Sequence, residues 1–252
     1  MQDLYPPLTE FSDAAAETMN MVLVCEHASN VIPEKFKGLG VDEEARQSHI
    51  AWDPGALGVA QALRRRFAAD LVAGSVSRLL YDCNRPPEAA SAMPEVSEVF
   101  IVPGNKDLSE AARLERVKGI YEPFYEAVTQ ILTRRQTGML VTIHSFTPVY
   151  HGLRRDCEVG LLHDSDSRLA DAMLAAVPKN APFKVERNVP YSAKDGVTHT
   201  LKAHAVPRGW PNVMVEIRND LIKTKSQQDI MADFIASLLI AAIPGLKENS
   251  NV

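Results

Sequence analysis

The feature that most constrains this chain is the stretch 138–146, Gly-Met-Leu-Val-Thr-Ile-His-Ser-Phe. Met139 to Ile143 is an apolar, β-branched run behind Gly138, the pattern of a short strand buried on both faces. His144 follows at the carboxyl end of that run. Two other segments repeat the arrangement. Met21 to Cys25 runs into Glu26-His27, and Val213 to Val215 runs into Glu216-Ile217-Arg218. Strands buried on both faces need a layer of helices on each side. The fold class that follows is α/β, with a mostly parallel central sheet flanked by helices.

The rest of the chain fits that frame. Asp53 before Pro54-Gly55 has the form of a helix N-cap, and a helix over 54–67 would put Leu57, Ala60, Leu63 and Phe67 on one face. Residues 71–80 read as a strand, stopped for good by Pro86-Pro87. Residues 86–106 read as an irregular loop near the site. Ser109 is placed to cap a helix reaching about Arg134, with acidic residues early and Arg134-Arg135 late, matching the helix dipole. Strands are expected over 157–162, 183–189 and 213–217. Helices are expected over 164–177 and from a cap at Ser226 to Ile243. Tyr191 to His204, polar and glycine-bearing, reads as a loop with function. Residues 1–19 read as an N-terminal arm on a single domain spanning 1–252.

Charge and cysteine usage exclude several classes. A net charge of −5 gives no reason to expect nucleic acid as a partner. The Arg64-Arg65-Arg66 run would point three ways on a helix and reads as a solvated face. No apolar run approaches the ~20 residues of a bilayer span, and Phe234 to Ile243 reads as a buried helix. The start of the chain carries acidic residues and prolines rather than a basic, then apolar, targeting pattern. Three cysteines without CxxC spacing argue for free thiols in a reducing compartment, so a cytoplasmic protein is expected.

Ligands in open α/β sheets bind outside the carboxyl ends of the strands. If the three apolar runs are parallel neighbours, His27, His144 and Glu216 converge on one sheet edge. Two imidazoles and a carboxylate there point to metal-assisted hydrolysis. Asn84-Arg85, after a strand and before two prolines, offers a stiff guanidinium fork that matches a carboxylate.

These pieces resemble the N-formylglutamate amidohydrolase family along about residues 21–222. The resemblance rests on Glu26-His27 with Ile32-Pro33, Asp53-Pro-Gly-Ala56, Ser77 to Arg85, Ile143-His144-Ser145 and Glu216-Ile217-Arg218. It implies a fold related to the zinc carboxypeptidases and a zinc ion, or another divalent metal, on His27 and His144. A carboxypeptidase carries its next ligand, a glutamate, three residues after the first histidine. Here that position is Asn30, so Asp53 is the best replacement. Glu26 is a rival, although a neighbour of His27 on a strand should point the other way. The resemblance makes Glu216 the general base. It puts Asn84 and Arg85 on a substrate carboxylate, with Arg78, Arg218 and Ser145 also on the substrate side. Asp82 and Glu26 would orient a histidine or an arginine. The implied activity is amino-acid catabolism by hydrolysis of a small carboxylate substrate such as N-formylglutamate to formate and the amino acid. A carboxypeptidase-like peptidase and a non-catalytic binding module are the alternatives. The sequence fixes no oligomeric state.

Overall fold

The structure, a computed structural model, describes residues 4–12, 20–135 and 137–248. Its first elements are strands β1 (Leu8–Glu10) and β2 (Met21–Cys25), helices α1 (Glu43–Gln47) and α2 (Ala56–Phe67), and strand β3 (Asp70–Ala73). A short hairpin, β4 (Val96–Ser97) and β5 (Phe100–Ile101), precedes helices α3 (Glu110–Arg116) and α4 (Glu122–Arg135). Strand β6 (Met139–Phe146) leads into a second hairpin, β7 (Val149–Tyr150) and β8 (Leu153–Arg154), and then into β9 (Val159–Leu162). Helix α5 (Arg168–Ala175), strands β10 (Val185–Arg187) and β11 (Asn212–Arg218), and helix α6 (Lys225–Glu248) complete the chain.

Seven strands form one sheet in the order β1-β3-β2-β6-β11-β9-β10. The central four, β3, β2, β6 and β11, are parallel neighbours, the arrangement the three apolar runs predict. Strand β9 runs against β11, β10 follows β9, and β1 pairs antiparallel on the far edge. Part of the expected N-terminal arm is therefore an edge strand, while residues 1–3 and 13–19 lie outside the described residues. Every residue of β2, β6 and β11 is buried, because helices cover both faces. Helices α2, α5 and α6 pack on one face against Leu23, Leu71, Val141 and Val215. Helix α4 and the 201–205 turn cover the other, against Val22, Val24, Leu140 and Met214. Alternation along the strands assigns these sets to opposite faces.

Several boundaries depart from expectation for local reasons. Helix α2 begins at Ala56 after Gly55, whose φ of 84° and close approach to the Ile222 carbonyl leave no room for a Cβ. Asp53 is thus not its cap. The strand expected over 71–80 ends at Ala73, and 74–85 becomes a series of turns. Ser109 does cap α3, accepting from Ala112 N–H at 3.2 Å, but Val117–Tyr121 forms a π turn before α4 resumes the helix. Helix α6 starts one residue before Ser226, and Thr224 Oγ1 accepts from the Gln227 N–H at 3.3 Å. Its apolar length would suffice for a bilayer span, yet Met231, Ile235, Leu238, Leu239 and Ala242 are buried against the core.

Candidate active site

The three parallel strands deliver their polar ends to one place. Glu216 of β11 pairs in register with His144 of β6. His144 and Glu216 share the strand parity of Thr142 and Met214, so both project from the face covered by α4 and the loops. Glu26 and His27 sit in the turn that leaves β2, where strand alternation no longer holds. Gly74 helps shape that turn. Its N–H donates to the Cys25 carbonyl at 2.9 Å, and a Cβ there would strike the Glu26 carbonyl.

Asp53 arrives from the 48–55 turn. The Asp53 N–H donates to the His27 carbonyl at 2.9 Å, and the Arg78 N–H to the Ala51 carbonyl at 3.1 Å, tying three segments together. The Asp53 carboxylate then points inward. Its Oδ2 accepts from the Ser145 N–H at 3.2 Å and lies 3.2 Å from His27 Nδ1 and 2.9 Å from His144 Nδ1. The two Nδ1 atoms are 3.2 Å apart.

The far nitrogens of both imidazoles face carboxylates. His27 Nε2 is 2.7 Å from Asp82 Oδ1. His144 Nε2 is 2.9 Å from Glu26 Oε2, at ion-pair range though not aligned as a hydrogen bond. With protons on the Nε2 atoms, each Nδ1 presents a lone pair. Two nitrogen lone pairs and a carboxylate oxygen then converge, three acceptors with no donor among them. A metal ion held there would satisfy all three, as in three-ligand zinc sites, and in its place a proton on an Nδ1 bridges to the Asp53 carboxylate. The metal fits these residues.

The electrostatics agree. Burial opposes every charge here, but neighbours outweigh it. Glu26 and Asp53 hold the His144 imidazolium well above the ordinary histidine range. His27 is also raised, by Asp82 and Asp53 against burial and Arg78. Burial pushes the Asp53 and Asp82 carboxyls up, yet His27 and their other partners leave both well below the carboxylate range. The cluster attracts positive charge. Glu216 behaves oppositely: burial, reinforced by Asp53, raises its carboxyl to about 7. Its Oε2 has no hydrogen-bond partner among the described residues.

A cavity of about 690 Å³ opens over this cluster, lined by His27, Asp53, His144 and Glu216 and walled by both hairpins. Ser97 and Glu98 of the 86–106 segment line it, and His49 pairs with Glu98 at 2.7 Å. Tyr191, Asp195 and Val197 form another wall. The rest of the expected 191–204 loop is different: Leu201–Ala205 is helical, and His199 and His204 pack on Tyr121 and Tyr125.

The expected substrate-side residues divide. Arg85 lines the cavity, with Nη1 donating to the Asp195 carbonyl at 2.9 Å. Arg78 also lines it, but pairs with Asp82 at 2.8 Å and Asp53 at 3.4 Å, so its charge is spent on the site's own carboxylates. The Asn84 amide is committed at both ends: its Oδ1 accepts from Thr200 N–H at 3.0 Å and its Nδ2 donates to the Val197 carbonyl. It anchors the 197–200 backbone. The Ser145 hydroxyl donates to the Pro54 carbonyl at 2.9 Å and steadies the Asp53 turn. Arg218 does not reach the cavity; it pairs with Asp220 at 2.8 Å and Glu158 at 3.2 Å. Arg155, absent from the sequence expectations, lines the cavity beside Tyr150 and Tyr191. Nothing in its surroundings of Leu153-Arg154-Arg155-Asp156 distinguishes it from a surface arginine, and only the β7–β8 hairpin turns it inward.

The chain resembles known structures over nearly its whole length. Against the gene product Atu2144 from Agrobacterium tumefaciens the identity is 50% and the TM-score 0.92, covering 96% of each chain. The N-formylglutamate amidohydrolase from Ralstonia eutropha JMP134 shares the fold at 17% identity and a TM-score of 0.67, over 97% of this chain and 100% of that one. No curated protein matches the sequence. Residues 19–223 match the N-formylglutamate amidohydrolase family, a span that holds the whole cluster from Glu26 to Glu216. The chain belongs to the N-formylglutamate amidohydrolase family and is a hydrolase of an amide bond.

Proposed function

We propose that the protein is a zinc-dependent amidohydrolase that removes the acyl group from an N-acyl acidic amino acid, N-formylglutamate first among them. One observation carries this reading: three buried acceptors, His27 Nδ1, His144 Nδ1 and Asp53 Oδ2, converge beside an unpartnered glutamate at the floor of a cavity. His27, His144 and Asp53 would hold the metal. Asp82 and Glu26 fix the imidazole tautomers from behind. When bound, zinc supplies Lewis acidity, lowering the pKa of water and polarising the amide carbonyl.

The chain's own residues do the rest. Glu216 takes a proton from the attacking water and passes it to the departing amine nitrogen. Burial raises its carboxyl to about 7 in the metal-free site, and a bound cation would draw it back down towards the carboxylate form that accepts the proton. Arg78 keeps Asp53 and Asp82 oriented. Arg85 offers its fork to one substrate carboxylate, and Asn84 holds the loop that Arg85 leans on. N-formylglutamate fills only part of about 690 Å³, so larger N-acyl groups and peptidyl amides belong in the substrate screen.

The test is metal analysis of protein purified without chelator, followed by hydrolysis assays over a panel of N-acyl amino acids. Stoichiometric zinc with turnover of N-acyl glutamate or aspartate is expected. Turnover of no acidic N-acyl amino acid by metal-loaded protein would defeat the reading.

A further inference from the structure

We propose that Arg155 binds a second carboxylate of the substrate, so that the site selects N-acylated dicarboxylic amino acids over their neutral or amidated counterparts. The inference rests on the amidohydrolase reading and names the residue in the same cavity that sets the preference for a second carboxylate.

The argument begins with where the cavity's positive charges go. Arg78 is paired with Asp53 and Asp82. Arg85 lies 3.9 Å from Asp82 and donates to the Asp195 carbonyl. Arg155 differs. Among the described residues no carboxylate lies within ion-pair distance of it. Its Nη2 donates to the Tyr191 hydroxyl at 3.1 Å and its Nη1 to the Thr147 carbonyl at 3.4 Å. A guanidinium has five N–H donors, so donors and a full charge remain.

That charge is also held still. The guanidinium carbon lies 4.4 Å from the Tyr150 ring centre, 5.0 Å from Tyr191 and 5.4 Å from Phe146. Ring faces attract the cation and fix its plane without neutralising it. The backbone is pinned as well. Arg155 N–H donates to the Pro148 carbonyl at 2.8 Å, closing the hairpin, and the Arg155 carbonyl accepts from Arg218 Nη1 at 3.2 Å. Arg218, expected on the substrate, instead steadies the backbone of the arginine that lines the cavity. An arginine fixed in this way loses little conformational entropy on pairing with a carboxylate. An N-acyl dicarboxylic amino acid brings two carboxylates. With Arg85 on one, Arg155 is the caged cation left for the other. Arg154 also lines the cavity, but it is exposed on β8 and, among the described residues, no ring face or hydrogen bond holds its guanidinium in place.

The experiment uses zinc-loaded protein and the Arg155→Met, Arg155→Lys and Arg154→Ala variants, each checked for zinc content and melting temperature. The first readout is the ratio of kcat/KM for N-formylglutamate over N-formylglutamine. A charged hydrogen bond is worth about 10–150-fold, and Arg155→Met should cut the ratio by that factor. Arg155→Lys should restore part of it, and Arg154→Ala should move it only a few-fold. The second readout is calorimetric binding of glutarate against butyrate, which needs no turnover; Arg155→Met should weaken glutarate selectively. Should Arg155→Met unfold, Tyr191→Phe removes only the hydroxyl that accepts from Arg155. It should raise KM for N-formylglutamate more than it lowers kcat. An unchanged ratio in Arg155→Met, or a loss that follows Arg154, overturns the proposal and leaves the amidohydrolase reading standing. If wild type hydrolyses no N-acyl amino acid, that reading falls and glutarate binding decides alone. Selective weakening in Arg155→Met then supports Arg155, while equal or absent binding overturns it.

Discussion

Replacing Glu216 with glutamine should make the protein a worse enzyme and a more stable one. The carboxyl is 4% exposed, and burial with Asp53 nearby raises it from an ordinary 4.5 to about 7. A folded-state pKa above the unfolded one favours the protonated form. The associated stability is therefore present below pH 4.5 and lost as pH rises through about 7. At 1.36 kcal/mol per pKa unit, the ionised group costs the metal-free fold up to about 3 kcal/mol above pH 7. Glutamine keeps the shape and is neutral throughout. In metal-free protein the melting difference between Glu216→Gln and wild type should be near zero at pH 4.5. It should grow to roughly 6–12 °C at pH 8, given about 2–4 °C per kcal/mol for a chain of this size. Turnover by zinc-loaded protein should fall by roughly 10²–10⁴-fold with metal still bound. Scanning fluorimetry over pH and steady-state kinetics read the two halves. A salt-bridging glutamate would lose stability along with activity. A variant no more stable than wild type at pH 8 would refute the strained-carboxylate argument, and near wild-type turnover would refute the base.

Three further outcomes follow from the cluster. His144→Ala should abolish stoichiometric zinc binding and activity. Because His144 is 1% exposed and faces Glu26 and Asp53, it should also lower the melting temperature; zinc retained at one equivalent would contradict its role. Asp82→Asn keeps the shape but weakens the contact behind His27, so zinc affinity in a competitive chelator titration should drop by about 10–100-fold, and an unchanged affinity would remove Asp82 from that role. Arg85→Ala should reduce kcat/KM for acidic N-acyl amino acids by about 10–150-fold, with a smaller loss for the substrate lacking that carboxylate; equal losses on both would make Arg85 a support for the 195–197 loop.

What the sequence disclosed, and what it concealed, follows from one physical distinction. Strands buried on both faces must be apolar throughout, so β2, β6 and β11 are legible as runs, and the polar residues at their ends stand out by contrast. Parallel pairing then brings Glu216 level with His144 without further information. Asp53 is different. Its sequence neighbourhood, Asp-Pro-Gly, imitates a helix cap, so the resemblance alone nominates it as a ligand, and the tertiary hydrogen bonds to His27 and Ala51 form the turn that aims its carboxylate at two imidazoles. The 71–80 segment misleads in the same way. Its apolar residues are buried, Leu79 and Leu80 among them, but they pack in turns that carry Arg78 and Asp82 to the site rather than in a strand.

The arginines mark where residue type stops predicting role. Arg78, Arg85, Arg155 and Arg218 are chemically identical, and the motif favours three of them for substrate. A guanidinium binds whichever carboxylate is already fixed nearby, because pairing inside the fold avoids a buried unpaired charge. Asp53 and Asp82 therefore claim Arg78, and Glu158 and Asp220 claim Arg218. Asp82 and Asp220 lie close by in sequence, but the contacts with Asp53 and Glu158 cross the fold and no short motif encodes them. Arg155 keeps its charge for a ligand because its neighbours hold it with ring faces and uncharged oxygens instead of anions, those of Phe146, Tyr150 and Tyr191.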